Sequence, residues 1–195
     1  DATNAITCNV FQGSGYQNKK WGTERKVADT FEGYDFPIIR YAEVLLNYAE
    51  AMYELGTTGK ALDDALNISL NLVRLRVNPD MPKLTTSFVS ENNLNMREEI
   101  RRERTIELYN EGFRIDDLKR WNTAIVEMPK PILGVKWTGT DFATSWAGAS
   151  NMAKDSDGCL ILENSRRWGS KNDLYPLPAD QCQLNPNLGQ NPGWQ

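Results

Sequence analysis

The chain has 195 residues, of which 40% are apolar and 25% charged, with a formal net charge of −4. That composition fits a globular fold with its own core, and the acidic balance argues against a nucleic-acid-binding face. Histidine is absent, which removes Ser-His-Asp triads, Cys-His pairs and histidine-bearing zinc sites.

The three cysteines, Cys8, Cys159 and Cys182, form no C-x-x-C pair. Neither a thiolate metal site nor a disulfide framework is expected, and a Cys159–Cys182 bridge is left open. No apolar run reaches the roughly 18 residues of a membrane-spanning helix. The chain starts at Asp1 without a methionine or an apolar leader, as expected of a processed or truncated product whose export signal lies upstream.

Residues 1–36 are turn-rich (Gly13-Ser14-Gly15, Gly22, Gly33) and carry Phe11, Tyr16, Trp21, Phe31, Tyr34 and Phe36. They read as an irregular, packed lead-in. Residues 37–127 read as helical and repeat-like. Pro37 suits a first helical turn, and a helix is predicted from about Ile38 to Leu55, stopped by Gly56. Tyr41, Leu45, Tyr48, Ala49 and Met52 form its apolar stripe. A second helix is predicted over Lys60 to Val77, with Ala61, Ala65, Ile68, Leu72 and Leu75 at helical spacing and Asn78-Pro79 as its end. The three-residue link makes these an antiparallel pair, with Ala42, Ala49 and Ala51 allowing close approach. Such a pair is the unit of a tetratricopeptide-like repeat.

A further unit is predicted from a helix over Asn93 to Asn110, a break at Gly112, and a short helix over Arg114 to Ile125. One or two such units do not bury a solenoid core. A marginal fold with apolar surface exposed on the first helix is therefore expected, along with more chain upstream. Residues 128–195 read as a loop-rich segment packed on the helices, with Leu160-Ile161-Leu162 as one short strand. The fold class is mainly α, with tetratricopeptide-like antiparallel helix pairs, long loops and little strand.

The stretch Ile100 to Trp121 interleaves charge with large apolar side chains. At about 100° per residue, Ile106, Tyr109 and Phe113 share a face, Met96 and Ile100 lie a quarter-turn away, and Glu103 and Glu107 fall between. Carboxylates buried there need partners. A structural ion-pair network of Arg102, Glu103, Arg104, Glu107 and Arg114 is expected, with Arg101 also near. The repeat of Glu99, Glu103, Glu107 and Glu111 every four residues resembles a di-iron helix, but that site also needs Glu-x-x-His. No metal and no cofactor are expected. Asp155-Ser-Asp-Gly158 resembles part of a calcium loop, yet Ala153 and Asn164 stand where ligands belong; a solvated turn is expected.

Sugar recognition needs flat apolar faces beside polar groups. Trp137, Phe142 and Trp146 lie in a Ser/Thr/Asn-rich stretch that fits it, and Tyr16 and Trp21 offer the same in the lead-in. The alternative is that these aromatics pin irregular chain to the helices. Trp121 is expected in the core and Trp194 as a packed anchor of the tail.

Three motifs together resemble the SusD/RagB family of Bacteroidetes outer-membrane nutrient-binding lipoproteins, in its C-terminal portion. They are Ile39-Arg-Tyr-Ala-Glu-Val-Leu-Leu-Asn-Tyr-Ala-Glu-Ala51, then Arg102-Glu-Arg-Thr-Ile-Glu-Leu108 running into Glu111-Gly-Phe-Arg-Ile-Asp-Asp-Leu-Lys-Arg-Trp121, then Leu174-Tyr-Pro-Leu-Pro178 with Asn185-Pro-Asn-Leu-Gly-Gln-Asn-Pro-Gly-Trp194. The resemblance implies a cell-surface protein of the outer membrane, anchored by a lipidated cysteine upstream of this chain. It implies capture of an oligosaccharide, or a peptide, and delivery to a SusC-like TonB-dependent transporter. In starch-binding members the sugar platform lies largely upstream of the matched region. The competing expectation is a tetratricopeptide-like protein-docking scaffold whose ligand site lies elsewhere. A glycoside hydrolase needs paired carboxylates at a cleft; no signature singles out a pair, and no enzyme is expected.

Overall fold

The structure is a computed structural model that describes residues 14–16, 18, 20 and 37–194. Of the expected site residues, Trp21 lies outside them, as does Cys8. The described chain divides into two compact units, one within Arg25–Arg114 and one within Asp1–Glu24 and Ile115–Gln195. The break follows Asn110 and Gly112, both with positive φ. Helix predominates, and a two-stranded sheet is the strand content of the described residues.

The first unit is helical: α1 (Tyr41–Glu54), α2 (Gly59–Asn67), α3 (Leu70–Val77), α4 (Thr86–Glu91) and α5 (Met96–Glu107). Its core joins Leu45, Leu46 and Ala49 of α1 to Leu62 and Leu66 of α2, Leu70 and Val73 of α3, Leu84, and Met96 and Ile100 of α5. The predicted second helix is in fact two. Ser69 leaves helical geometry (φ −136°, ψ −99°), and its buried hydroxyl donates to the Ala65 carbonyl at 2.6 Å. A serine that satisfies the turn before it competes with the continuing helix.

The apolar phase runs on through the break at helical spacing, on a face next to the expected stripe. Leu62, Leu66, Leu70 and Val73 face the core, while Ala61, Ile68 and Leu72 face solvent. On α1 the buried stripe is Ala42, Leu45, Leu46 and Ala49, and Tyr41 and Tyr48 are exposed. On α5 and just after it, Met96, Ile100 and Leu108 are buried, with Ile106 and Tyr109 exposed. The apolar surface expected on the first helix is present: Ile38, Ile39, Tyr41, Val44 and Tyr48 are all exposed.

Helix α4 was not expected. The Thr85 hydroxyl caps it by accepting from the Phe88 N–H, and Asp63 of α2 accepts from both the N–H and the hydroxyl of Thr86. The loop before it is pinned by fully buried Asn71. Its side-chain oxygen accepts from the Leu84 N–H at 2.7 Å and its amide donates to the Leu84 carbonyl at 3.0 Å. Asn95 caps α5 by accepting from the Glu98 N–H. Asn93 and Asn110 adopt left-handed φ just after α4 and α5, as Asn122 does further on, a backbone state asparagine tolerates well.

Past the break, α6 (Arg114–Arg120) and α7 (Ala124–Glu127) stand where the sequence suggested one helix. The strands β1 (Ile132–Lys136) and β2 (Cys159–Glu163) pair antiparallel with two irregularities. Between them lie α8 (Phe142–Ser145) and a short 3-10 turn. Strand β2 includes the expected Leu160-Ile161-Leu162; β1 was not foreseen. Ser14 joins them, its carbonyl accepting from the Val135 N–H at 2.8 Å. Gly134 permits that approach, since a Cβ there would lie 2.7 Å from the Ser14 oxygen. After a 3-10 turn at Ser170–Asp173, α9 (Ala179–Leu184) leads into the tail. There the Gln190 side chain bonds both main-chain groups of Leu177, as a strand neighbour would. Among the described residues, no helix is long and apolar enough to cross a membrane.

Candidate functional site

Charged residues of the helical unit form a ladder between α1 and α5, which run antiparallel. At the start of α1, Arg40 Nε bonds Glu111 at 2.7 Å and its Nη2 bonds Glu107 at 2.9 Å. Midway, the buried Arg104 guanidinium donates to the Asn47 side chain at 2.7 Å and lies 5.5 Å from the Phe113 ring centroid. At the end of α1, Arg97 makes a two-pronged contact with Glu54 at 2.8 and 2.9 Å. From α3, Arg76 reaches Glu107 at 2.9 Å and buried Arg74 stands 3.6 Å from Glu103. Arg102 pairs with Glu99, and Arg114 bonds the Thr105 hydroxyl at 2.9 Å.

Of the expected network, Glu103 and Glu107 therefore take their arginines from other elements. Sequence reasoning missed Arg40, Arg74 and Arg76 because it sought partners nearby in the chain. The available signal was the placement of Arg74 and Arg76 on either side of Leu75 in an otherwise apolar helix. Burial raises the Glu103 carboxyl above the usual glutamate range, with Arg74 opposing it. The Arg40 guanidinium is held still more firmly protonated, mainly by its bond to Glu111. Beside the ladder, Arg40, Tyr41, Ala42, Leu45, Leu72, Val73 and Arg76 line an open groove of about 480 Å³. Its floor is apolar, and both guanidiniums at its rim are tied to Glu107.

In the second unit, Trp146 is 5% exposed and forms a core with Val135, Ala149 and Leu160. Trp137 and Phe142 are half-buried against that core. The Trp137 indole donates to the Trp146 carbonyl at 3.3 Å, and the Lys154 ammonium lies 4.4 Å from its ring centroid. The hairpin thus gathers all three expected aromatics, but with Trp146 inward and Trp137 covered by a lysine. Tyr16 is 62% exposed. Trp121 is half-buried beside Arg120, and Trp194 anchors the tail through bonds to the Lys171 and Leu174 carbonyls.

The Asp155 carboxylate accepts from the N–H groups of Asp157 and Cys159, so the acidic segment is a turn. Cys159 and Cys182 are free thiols. Among the described residues, no three Asp, Glu, Cys or His side chains cluster in a way that would hold a metal ion.

The family model described as the SusD family matches residues 3–194. The chain belongs to the SusD family. A solved structure described as the selenomethionine form of BT4246 is similar, with a TM-score of 0.60 and 28% identity. That match covers 83% of this chain and 25% of the other, so the chain spans about a quarter of that structure's length. No curated protein matches. The family motifs map onto the features above. The first two supply the ladder's Arg40–Glu107–Glu111 and Arg104–Asn47 contacts, and the third supplies the side-chain bonds that tie the tail.

Proposed function

We propose that this SusD-family chain is part of a cell-surface nutrient-binding protein of the outer membrane. It captures an oligosaccharide and passes it to a SusC-like TonB-dependent transporter. The observation that carries this reading is the family match across nearly the whole chain, with the structural likeness in support. Attachment is through a lipid anchor elsewhere in the protein, and the role is binding without catalysis. Within the chain, Trp137, Phe142 and Tyr16 are the aromatic side chains from which a ligand surface is drawn.

A second reading is favoured by a specific observation: Trp146 is spent on the hairpin core. In it, the chain is chiefly the helical scaffold that docks a partner protein, and the ligand is held elsewhere. Glycan retention by the whole protein separates the two. Loss of retention in Trp137→Ala and Phe142→Ala, with the fold intact, places the ligand here. Unchanged retention leaves this chain the scaffold.

A further inference from the structure

A different group of side chains in the second unit combines an exposed ring with a cation that no described carboxylate pairs. The Lys119 ammonium on α6 lies 3.9 Å from the Tyr175 ring centroid and 5.7 Å from that of Trp168. Tyr175 is 71% exposed. The surrounding chain is fixed. The Trp168 indole donates to Asp173 at 3.0 Å, and the Tyr175 carbonyl accepts from the Asn191 side chain at 2.6 Å.

Among the described residues, Lys119 has these two rings as its partners and no carboxylate. Arg166 and Arg167, just before Trp168, each turn one guanidinium nitrogen to main-chain carbonyls, Arg166 also faces the Glu163 carboxylate, and Lys171 lies over Trp194. By contrast, Arg120 and Lys130 nearby are paired with Asp117 and Glu127. Among the described residues, Lys119 therefore stands without a carboxylate beside an exposed ring, in a chain of net charge −4. An ammonium between rings is stabilised by their quadrupoles but retains donors for an anion.

We infer that Lys119, Trp168 and Tyr175 form a subsite for an anionic sugar, carboxylated or sulfated. The pyranose packs on the exposed part of the Tyr175 ring and its charged group meets the Lys119 ammonium. Ring stacking beside a charge-assisted hydrogen bond is the chemistry that selects a charged sugar over a neutral one. The inference rests on the oligosaccharide reading above.

Calorimetric titration of the whole protein tests it with oligogalacturonate, its neutral methyl ester, and a sulfated dextran oligomer. Oligogalacturonate or the sulfated oligomer should bind at least about tenfold more tightly than the methyl ester, and whichever does so identifies the anion. Lys119→Gln should erase that preference, Lys119→Arg should keep most of it, and Tyr175→Ala should weaken every charged ligand. Binding of the methyl ester or another neutral glycan as tightly as the acid overturns the anionic subsite but leaves the nutrient-binding reading standing. Loss of all binding in Lys119→Gln together with a lowered Tm also overturns it, since Lys119 would then be structural. Binding to no glycan of either charge removes both readings.

Discussion

Replacing Asn71 tests whether the helical unit is held by apolar burial alone or by polar groups inside it. Asn71 and Leu84 are both fully buried, and the Asn71 amide satisfies both main-chain groups of Leu84. Asn71→Ala leaves a buried N–H and a buried C=O without partners. Each such group costs about 1–3 kcal/mol, giving about 2–6 kcal/mol for the two, a large share of a typical fold's roughly 5–15 kcal/mol. Asn71→Leu is the companion variant: it keeps the branching at Cγ, leaves no cavity and adds apolar surface, yet it orphans the same two groups and must fit a larger side chain. Urea unfolding followed by circular dichroism, with unchanged m-values, should place both variants well below the parent. An Asn71→Leu protein as stable as the parent, within about 0.5 kcal/mol, would refute the argument.

Gly134→Val should separate the Ser14 segment from β1, because a Cβ there meets the Ser14 oxygen at 2.7 Å. Hydrogen exchange at the Val135 amide should accelerate, and an unchanged rate would count against that approach. Arg40→Met leaves Glu107 and Glu111 short of a cation they bond at 2.9 and 2.6 Å. A loss of about 3–5 kcal/mol is expected, read by the same unfolding assay; a loss below about 1 kcal/mol would mean water takes over readily.

Burial raises the Glu103 carboxyl, so the fold holds that proton more tightly than the unfolded chain. This contribution is fully present below the ordinary value of about 4.3. It is lost as pH rises toward the raised value. The parent should therefore lose stability relative to Glu103→Gln as pH climbs from about 4 through that window. A flat difference, or one of opposite sign, would show that Arg74 outweighs burial.

Helix existence was legible because its signals are local: the Gly56 stop, Asn78-Pro79 and the dense periodicity of α5. The buried faces were less so. Leu62, Leu66, Leu70 and Val73 keep helical spacing through the break at Ser69, but Ala61, Ile68 and Leu72 repeat as well on the neighbouring face, and periodicity alone does not say which stripe is buried. The carboxylates Glu103 and Glu107 were recognised as needing partners, but Arg40, Arg74 and Arg76 come from distant chain positions. The fate of Trp146 was hidden for the same reason. It is buried because β1 and β2 bring Val135 and Leu160 together across the hairpin, a pairing that a five-residue strand with bulges announces only weakly. Tyr175 and Lys119 lie far apart in sequence, so their contact is invisible to any local window.

Affinity electrophoresis of the whole protein against neutral and acidic polysaccharides tests the nutrient-binding reading most directly. The account predicts retardation on at least one glycan, relieved by the matching free oligosaccharide. A folded protein that migrates unretarded through every glycan would contradict it.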